Sequence, residues 1–262
     1  MRDAGLEQAI RAAGGVASLA RAIGISQPSV SAWPRIPAER VLAVEALTRV
    51  HRFVLRPDLY GPSEDQVSSK PEIDEIDALR AAEYGLLSLL LGKAPDADTL
   101  LRVAALKGDA SDLGIAHIEL AAAAAATDDR AVSKEFFALF IGLGRGELLP
   151  YASYYMTGFL HERPLARVRE DLDVLGIERA GASREPEDHI ATLLEVMAGL
   201  ARGDFEADFA EQARFFERHL MPWASRMFAD LETSRSANFY RAVGRVGRVF
   251  MELESEAFTL SG

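Results

Sequence analysis

Apolar side chains recur at the three- and four-residue spacing of an α-helix along nearly the whole chain, whereas the alternation typical of a β-strand is almost absent. Leu6, Ile10 and Ala13 give the first example. Because a helical period and a strand period cannot be satisfied by the same segment, this pattern predicts an all-α fold. With 262 residues, 49% of them hydrophobic, the chain can bury the core of one large helical domain and one small one.

Charge is distributed unevenly along the chain. Residues 1–60 contain 8 Lys and Arg against 5 Asp and Glu, whereas residues 61–262 contain 21 against 35. A basic segment can approach a polyanion, and an acidic one repels nucleic acid and attracts cationic peptides. Residues 61–71 gather glycine, proline, serine and acids without periodicity, which is the composition of a linker. We therefore predict a small domain at 1–60 (the head) and a large domain at 72–262 (the body).

The absence of cysteine excludes disulfides, thiolate metal sites and cysteine nucleophiles, and it suits a reducing compartment. The first ten residues carry charges where a secretion signal would be apolar, and no apolar run approaches the thickness of a bilayer. These features predict a cytoplasmic protein that does not insert into a membrane.

A helix-turn-helix is indicated in the head by "VASLARAIGISQPSVSAW". Ala20 allows two helices to cross closely, Gly24 makes the turn, and Val30 and Trp33 pack the second helix back onto the first. Ser26 is placed to cap the second helix, over residues 27–33.

The second helix of this motif presents polar side chains outward. Gln27, Ser29 and Ser31, with Arg35 just beyond the helix, are candidate contacts to bases or phosphates in a major groove. Pro34 stops the helix where a basic residue would help to neutralise phosphate, so we expect weak affinity for DNA. The alternative is a small helical interaction domain that does not bind DNA.

Two further segments of the head follow this motif, "RIPAERVLAVEALT" and "FVLRPDLYGP". With them, residues 1–60 resemble the Cro-like, YdaS-type family of phage and bacterial DNA-binding regulators. The resemblance implies operator binding, usually as a homodimer, through the helix at 27–33.

The body contains a series of amphipathic helical patterns. Such helices pack as a bundle around a shared core. The predicted helices are 73–91, 97–106, 111–126, 131–143, 165–175, 186–202, 204–220, 222–232 and 237–258.

An acidic cluster with a histidine precedes one of these helices, in "SREPEDHIATLLEVMAGL". The apolar residues of the helix form one stripe, Ile190, Leu193, Leu194, Met197 and Ala201. Continued at 100° per residue, the same helix places Glu185, Asp188 and His189 on the opposite side. These residues either serve only to cap the helix and face solvent, or they bind a ligand.

Enzymatic interpretations find little support. The histidines show no HExxH or other paired spacing, and Ser153, His189 and Asp188 lack the GxSxG turn of a hydrolase. The glycine run at 142–146 follows a helical pattern rather than a strand, so a helix stop explains it better than a phosphate loop. We therefore expect no catalytic residues, metal or cofactor, although a nucleotide-hydrolysing enzyme stays as a rival.

Four stretches of the body carry a more specific similarity. These are "FFALFIGLGRGELLPYASYYMTGFLHERPLARVREDLDVLGI", "EPEDHIATLLEVMAGL", "HLMPWASRMFADLE" and "ANFYRAVGRVGRVFMELE". With them, residues 73–258 resemble the TorD/DmsD family of cytoplasmic chaperones for molybdenum enzymes. The resemblance implies an all-helical chaperone that binds the twin-arginine signal peptide of an apo catalytic subunit and delays export until the molybdenum cofactor is inserted. We expect a client similar to formate dehydrogenase.

The resemblance also implies binding residues. They are Glu185, Asp188 and His189 in the E-P-x-D-H motif, and Tyr154 and Tyr155 near the S-x-Y motif. Carboxylates accept bidentate hydrogen bonds from arginine, and an adjacent apolar groove can receive the hydrophobic part of a signal peptide. Since the family commonly lacks a DNA-binding head, the alternative function is a transcriptional regulator whose body serves as a sensor or dimerisation module.

Overall fold

The structure, a computed structural model, describes residues 3–60, 75–178, 185–205 and 207–260. They belong to two compact units that divide between residues 72 and 73, and the predicted linker at 61–71 lies outside the described residues. The predicted all-α class is confirmed, because the described residues form helices and no sheet. Within these ranges, no helix has both the length and the apolar character needed to span a membrane.

The head is a cluster of short helices around a small apolar core. The residues at its centre are fully buried and include Leu6, Leu19 and Val30. Its helices are α1 (Ala4–Ala12), α2 (Val16–Ala22), α3 (Gln27–Ser31), α4 (Val41–Thr48), α5 (Arg52–Leu55) and α6 (Pro57–Tyr60).

The helix-turn-helix forms as the sequence predicts, with one correction. Gly24 takes φ +72° in the turn, and the Ser26 Oγ caps α3 by accepting from the Ser29 N–H at 3.3 Å. However, α3 ends at Ser31 rather than Trp33. Proline disfavours the helical conformation in the residue before it, so Pro34 removes Trp33 from the helix.

The body is organised around one almost completely buried helix. The predicted apolar stripe of this helix, from Ile190 to Ala201, is buried at every position, and the helix packs along the first helix of the body. The helices of the body are α7 (Glu75–Gly92), α8 (Ala97–Ala104), α9 (Asp112–Ala125), α10 (Asp129–Phe136), α11 (Ala152–Thr157), α12 (Arg163–Val174), α13 (Ile190–Ala201), α14 (Phe209–His219), α15 (Ala224–Thr233) and α16 (Phe239–Leu260).

The helix predicted at 204–220 begins only at Phe209, because Asp208 and Glu211 form a capping box there. Three further features differ from the predicted helices. The segment predicted as one helix at 131–143 is α10 followed by a π-helix, Phe137–Ile141, which stops at Gly142. The helix predicted at 186–202 begins only at Ile190, and α11 was not predicted. The second and third differences have one cause, which lies in the pairing of the two segments described next.

Candidate functional site

Two segments that are distant in sequence lie side by side in the body. The Ile190 N–H donates to the Pro150 carbonyl at 2.9 Å, and the Ala152 N–H donates to the Asp188 carbonyl at 2.9 Å. These bonds form a single antiparallel bridge between residues 150–153 and residues 185–190. The E-P-x-D-H motif is thereby fixed against the start of the S-x-Y motif, and we call this arrangement the paired segments.

Asp188 holds the paired segments together through its side chain. One carboxylate oxygen, Oδ2, accepts from the Ser153 N–H at 2.8 Å, so Asp188 caps the first turn of α11 from another part of the chain. Only 1% of Asp188 is exposed. Its other oxygen, Oδ1, and the Ser153 Oγ are buried and have no hydrogen-bond partner among the described residues.

His189 caps α13 with its ring. The Nδ1 atom accepts from the Ala191 N–H at 3.2 Å, which places the proton of the neutral ring on Nε2. The ring also packs edge-to-face on Tyr151, with 5.0 Å between centroids. Burial lowers the pKa of His189 to about 4, although the nearby carboxylates of Glu185 and Asp188 act in the opposite direction. His189 is therefore neutral at physiological pH.

The prediction that Asp188 and His189 project away from the apolar stripe into solvent is wrong. Both residues are buried, whereas Glu185 is exposed. Residues 185–189 are not helical, so positions on a helical wheel cannot be extended backwards from Ile190. Glu185 instead accepts a hydrogen bond from the Tyr151 hydroxyl at 2.5 Å. Burial, together with this carboxylate, raises the pKa of Tyr151.

A small cavity of about 120 Å³ opens beside the paired segments. The residues that line it come from both motifs and from the turn after α11: Tyr151, Ser153, Leu160, His161, Pro186 and Asp188. His161 has φ +62°, a left-handed conformation that is uncommon for a residue with a side chain. The lining of the cavity therefore combines two buried polar residues, Ser153 and Asp188, with a residue in a strained backbone conformation.

Tyr154 and Tyr155 line a second, larger groove of about 390 Å³ rather than this cavity. The Tyr155 hydroxyl donates to Asp230 at 3.0 Å, and the Arg226 guanidinium lies 6.0 Å from the centre of the Tyr155 ring. Arg145 donates to the Tyr154 hydroxyl and lies over its ring at 5.0 Å. The predicted binding residues are therefore divided: Asp188 lines the small cavity, Tyr154 and Tyr155 line the groove, and the lining of neither includes Glu185 or His189.

The geometry gives no support to a catalytic triad. Ser153 and Asp188 are neighbours, but the Ser153 Oγ has no hydrogen-bond partner in the described part of the chain, and Nδ1 of His189 is occupied by a backbone N–H. The glycine run begins with Gly142, which ends the π-helix at φ +63°. As predicted, it is a helix stop.

The four candidate DNA contacts of the head are all exposed. Gln27 and Ser29 lie on α3, where the hydroxyls of Ser29 and Ser26 are 2.7 Å apart. Arg35 forms an ion pair with Asp58 at 3.2 Å. A phosphate at this position would compete with Asp58 for the guanidinium.

Sequence reasoning missed the residues that complete the two concavities. Ser153 is the serine of the S-x-Y motif, so its position in that motif was an available signal. Arg145 lies in the glycine run and Arg226 in one of the four quoted stretches, but neither they nor His161 stand out in these patterns as site residues, and only the folded arrangement brings them to these surfaces.

Comparisons with known proteins agree with both resemblances. A family described as "Nitrate reductase delta subunit" matches residues 107–229, and one described as "Bacterial toxin YdaS" matches residues 6–64. The chaperone protein TorD of Aliivibrio salmonicida is 31% identical over 134 residues, which cover 47% of this chain and 62% of that protein. TorD of Vibrio cholerae serotype O1 (strain El Tor Inaba N16961) is 30% identical over 131 residues, 46% of this chain and 59% of that protein.

The alignments with these curated relatives thus span about three fifths of their length. A solved structure from Archaeoglobus fulgidus, described as a redox enzyme maturation protein, aligns with 66% of this chain and 94% of that one at 25% identity and a TM-score of 0.46. The resemblance of the body to TorD and of the head to YdaS is confirmed.

Proposed function

We propose that this chain, with its TorD-like body and YdaS-like head, is a cytoplasmic maturation chaperone without enzymatic activity. Its body binds the twin-arginine signal peptide of a molybdoenzyme's apo catalytic subunit before export. The observation that carries this proposal is a cavity lined by residues of both motifs, Asp188 among them, with the exposed Glu185 beside it. Carboxylates are the groups that accept the bidentate hydrogen bonds of arginine.

The surroundings of the cavity suit such a peptide. The body is acidic, with 21 Lys and Arg against 35 Asp and Glu beyond residue 60, and this charge attracts a cationic peptide. Three large apolar side chains at the end of α11 and in the turn after it are partly or largely exposed, Met156, Phe159 and Leu160. Because Leu160 also lines the cavity, the apolar part of a signal peptide can follow its arginines onto this surface.

Calorimetric titration of the full chain with the signal peptides of its host's molybdoenzymes tests the proposal. We expect binding that is lost when both arginines are changed to lysine, because lysine lacks the planar guanidinium group that donates two parallel hydrogen bonds to a carboxylate. Glu185→Gln should weaken binding, whereas Glu217→Gln, an exposed glutamate on α14, should not. If the client is similar to formate dehydrogenase, the signal peptide of that enzyme binds most tightly. Absence of arginine-dependent binding for every peptide would exclude the chaperone function.

A second candidate function, a transcriptional regulator with the body as sensor or dimerisation module, is favoured by the head. Its α3 presents Gln27, Ser29 and Ser31 to solvent on a correctly capped helix-turn-helix. We expect weak operator binding, measured by electrophoretic mobility shift with the chain's own upstream DNA. Repeating this titration with bound client peptide tests whether the domains are coupled, and identical affinities would contradict coupling.

A further inference from the structure

The groove lined by Tyr154 and Tyr155 continues into a neighbouring concavity of the body. The two concavities share Glu147 and Asp230, so they form one elongated depression, which we call the arginine groove. An extended chain segment can lie along such a depression and contact both of its halves. Its lining includes three exposed arginines, two in the first concavity and one in the second: Arg145, Arg226 and Arg235.

Most hydrogen-bond donors of these arginines are unused. Arg226 and Arg235 form no hydrogen bond or ion pair with any residue that the structure describes, and Arg145 donates there only to the Tyr154 hydroxyl. Each guanidinium carries five N–H donors and no acceptor. Exposed donors of this kind bond to water until a partner supplies acceptor groups. The arginine groove therefore offers donors on both of its halves to a ligand that carries acceptors.

The two acids of the groove already accept hydrogen bonds from uncharged groups. Glu147 accepts from the Ser236 hydroxyl, and Asp230 accepts from the Tyr155 hydroxyl at 3.0 Å. With three arginines against two acids, the lining carries one net positive charge, whereas the chain beyond residue 60 has 21 Lys and Arg against 35 Asp and Glu. The groove thus reverses the sign of charge of its domain locally, and an anion is the complementary group.

The two tyrosines orient the arginines of the first concavity. The Arg145 guanidinium lies over the Tyr154 ring at 5.0 Å, and the Arg226 guanidinium lies 6.0 Å from the centre of the Tyr155 ring. Stacking on an aromatic ring occupies a face of the planar guanidinium and leaves most of its N–H edges accessible. These edges donate the paired hydrogen bonds that a carboxylate accepts. Arginines that are already oriented lose less side-chain entropy when a ligand binds.

We propose that the arginine groove is an interaction surface for an acidic, extended segment of a protein partner. Clusters of arginines recognise acidic motifs through such paired hydrogen bonds. The groove shares no lining residue with the small cavity beside the paired segments, and a cationic signal peptide does not complement it. The inference is independent of the proposed function, and it assigns Tyr154 and Tyr155 to positioning the arginines.

The test measures binding of a fluorescein-labelled peptide that alternates glutamate with serine to the full chain, by fluorescence anisotropy. A peptide of equal length that alternates glutamine with serine shows how much of the binding depends on charge. The variants are Arg145→Gln, Arg226→Gln and the double variant. Arg130→Gln is the matched control, because Arg130 is an exposed arginine on α10 that does not line the groove. At about 0.15 M salt the screening length is about 8 Å, so the net charge of the body contributes little.

We expect the glutamate peptide to bind about tenfold or more tightly than the glutamine peptide. Arg145→Gln and Arg226→Gln should each weaken this binding about threefold to fivefold, and the double variant roughly tenfold or more, with thermal unfolding unchanged because both side chains are exposed. Arg130→Gln should stay within about twofold of the wild type.

Three results would overturn the inference. An equal loss of affinity in Arg130→Gln would show that the peptide responds only to overall charge. Equal affinities of the glutamate and glutamine peptides, or no binding of either, would show that the groove does not take carboxylates. Displacement of the glutamate peptide by inorganic triphosphate that binds more tightly than the peptide would assign the groove to small phosphate-bearing molecules instead.

Discussion

The candidate residues of the head and those of the body differ in what holds them in place. In the head, Gln27 and Ser29 are exposed neighbours on one short helix. In the body, Asp188 and His189 are buried, and Asp188 is bonded to residues about 35 positions earlier in the chain. Residues of the first kind can change without consequence for the fold, whereas each residue of the second kind both stabilises the fold and shapes the site.

The difference lies in how far each arrangement depends on the rest of the chain. The Ser26 cap that orders α3 joins residues three apart. The Asp188 cap that orders α11 exists only when two distant segments have come together. Changes in the body should therefore affect binding and stability together, and changes at the surface of α3 should separate them.

Acid should produce the largest effect, which in the body acts through His189. Burial lowers the pKa of His189 to about 4 in the folded protein, against about 6.5 when unfolded. Between these values the unfolded chain binds more protons, so the free energy of unfolding falls as the pH drops. The slope is about 1.4 kcal/mol per pH unit, or roughly 3 kcal/mol in all, and His189 contributes no such dependence above about pH 7.

Urea denaturation followed by circular dichroism at a series of pH values measures this dependence. His189→Asn is the control, because asparagine caps helices well and does not titrate. Subtracting the two curves removes the contribution of the carboxylates. A flat difference between about pH 6.5 and 4 would show that the ring is not held neutral by burial.

The next effect is the loss of the cap that spans the paired segments. Asp188→Ala leaves the Ser153 N–H without its acceptor in a buried position, so we expect a loss of about 1–3 kcal/mol at neutral pH. Asp188→Asn, which keeps an acceptor oxygen, should lose less than half as much. Urea denaturation of both variants provides the measurement. If Asp188→Ala matched the wild type, the side chain would serve binding alone and the comparison with the head would fail.

The sequence separation of the contacting residues also explains which features of the body were predictable. The stripe from Ile190 to Ala201 was predicted correctly because burial of a helix face leaves a local period in the sequence. The positions of Asp188 and His189 were not, because residues 185–189 adopt the conformation set by their bonds to residues 150–153. Hydrogen bonds between segments this far apart leave no periodic pattern in the sequence of either segment.

Helix α11 escaped prediction for the same reason, since its N-cap residue, Tyr151, makes no side-chain capping bond and Asp188 supplies the cap instead. In the head, the turn at Gly24 and the cap at Ser26 were predictable because each depends on adjacent residues. Local contacts thus leave the candidate residues of the head exposed, as predicted, whereas long-range contacts bury Asp188 and His189 in the body.

A smaller effect is expected from the equivalent cap in the head. Ser26→Ala removes the acceptor of the Ser29 N–H, but water can replace it because the cap is exposed. We expect a local loss of about 0.5–1 kcal/mol, seen as faster hydrogen exchange of α3 in the full chain. Ser26→Asp should restore the protection, because aspartate also caps. A loss of stability as large as that of Asp188→Ala would mean that the local cap at Ser26 stabilises the chain as much as the long-range cap at Asp188.

The smallest effect on stability should come from Gln27→Ala. Gln27 is exposed on α3, and a surface substitution of this kind changes stability by less than about 0.5 kcal/mol. If its amide contacts a base edge, the affinity for the chain's own operator should fall by about 1 kcal/mol or more, roughly fivefold, at constant salt. Fluorescence anisotropy measures the affinity, and hydrogen exchange of α3 measures the stability.

Gln8→Ala is the matched control for this variant, because Gln8 is an exposed glutamine on α1, outside the candidate helix. Equal losses of affinity for Gln8→Ala and Gln27→Ala would mean that α3 is not the reading helix. Faster hydrogen exchange of α3 in Gln27→Ala would show that Gln27 also stabilises the helix. Its roles in binding and in structure could then not be separated, as for Asp188. Weaker DNA binding with unchanged hydrogen exchange of α3 would show instead that Gln27 contributes to DNA binding and not to the stability of the head.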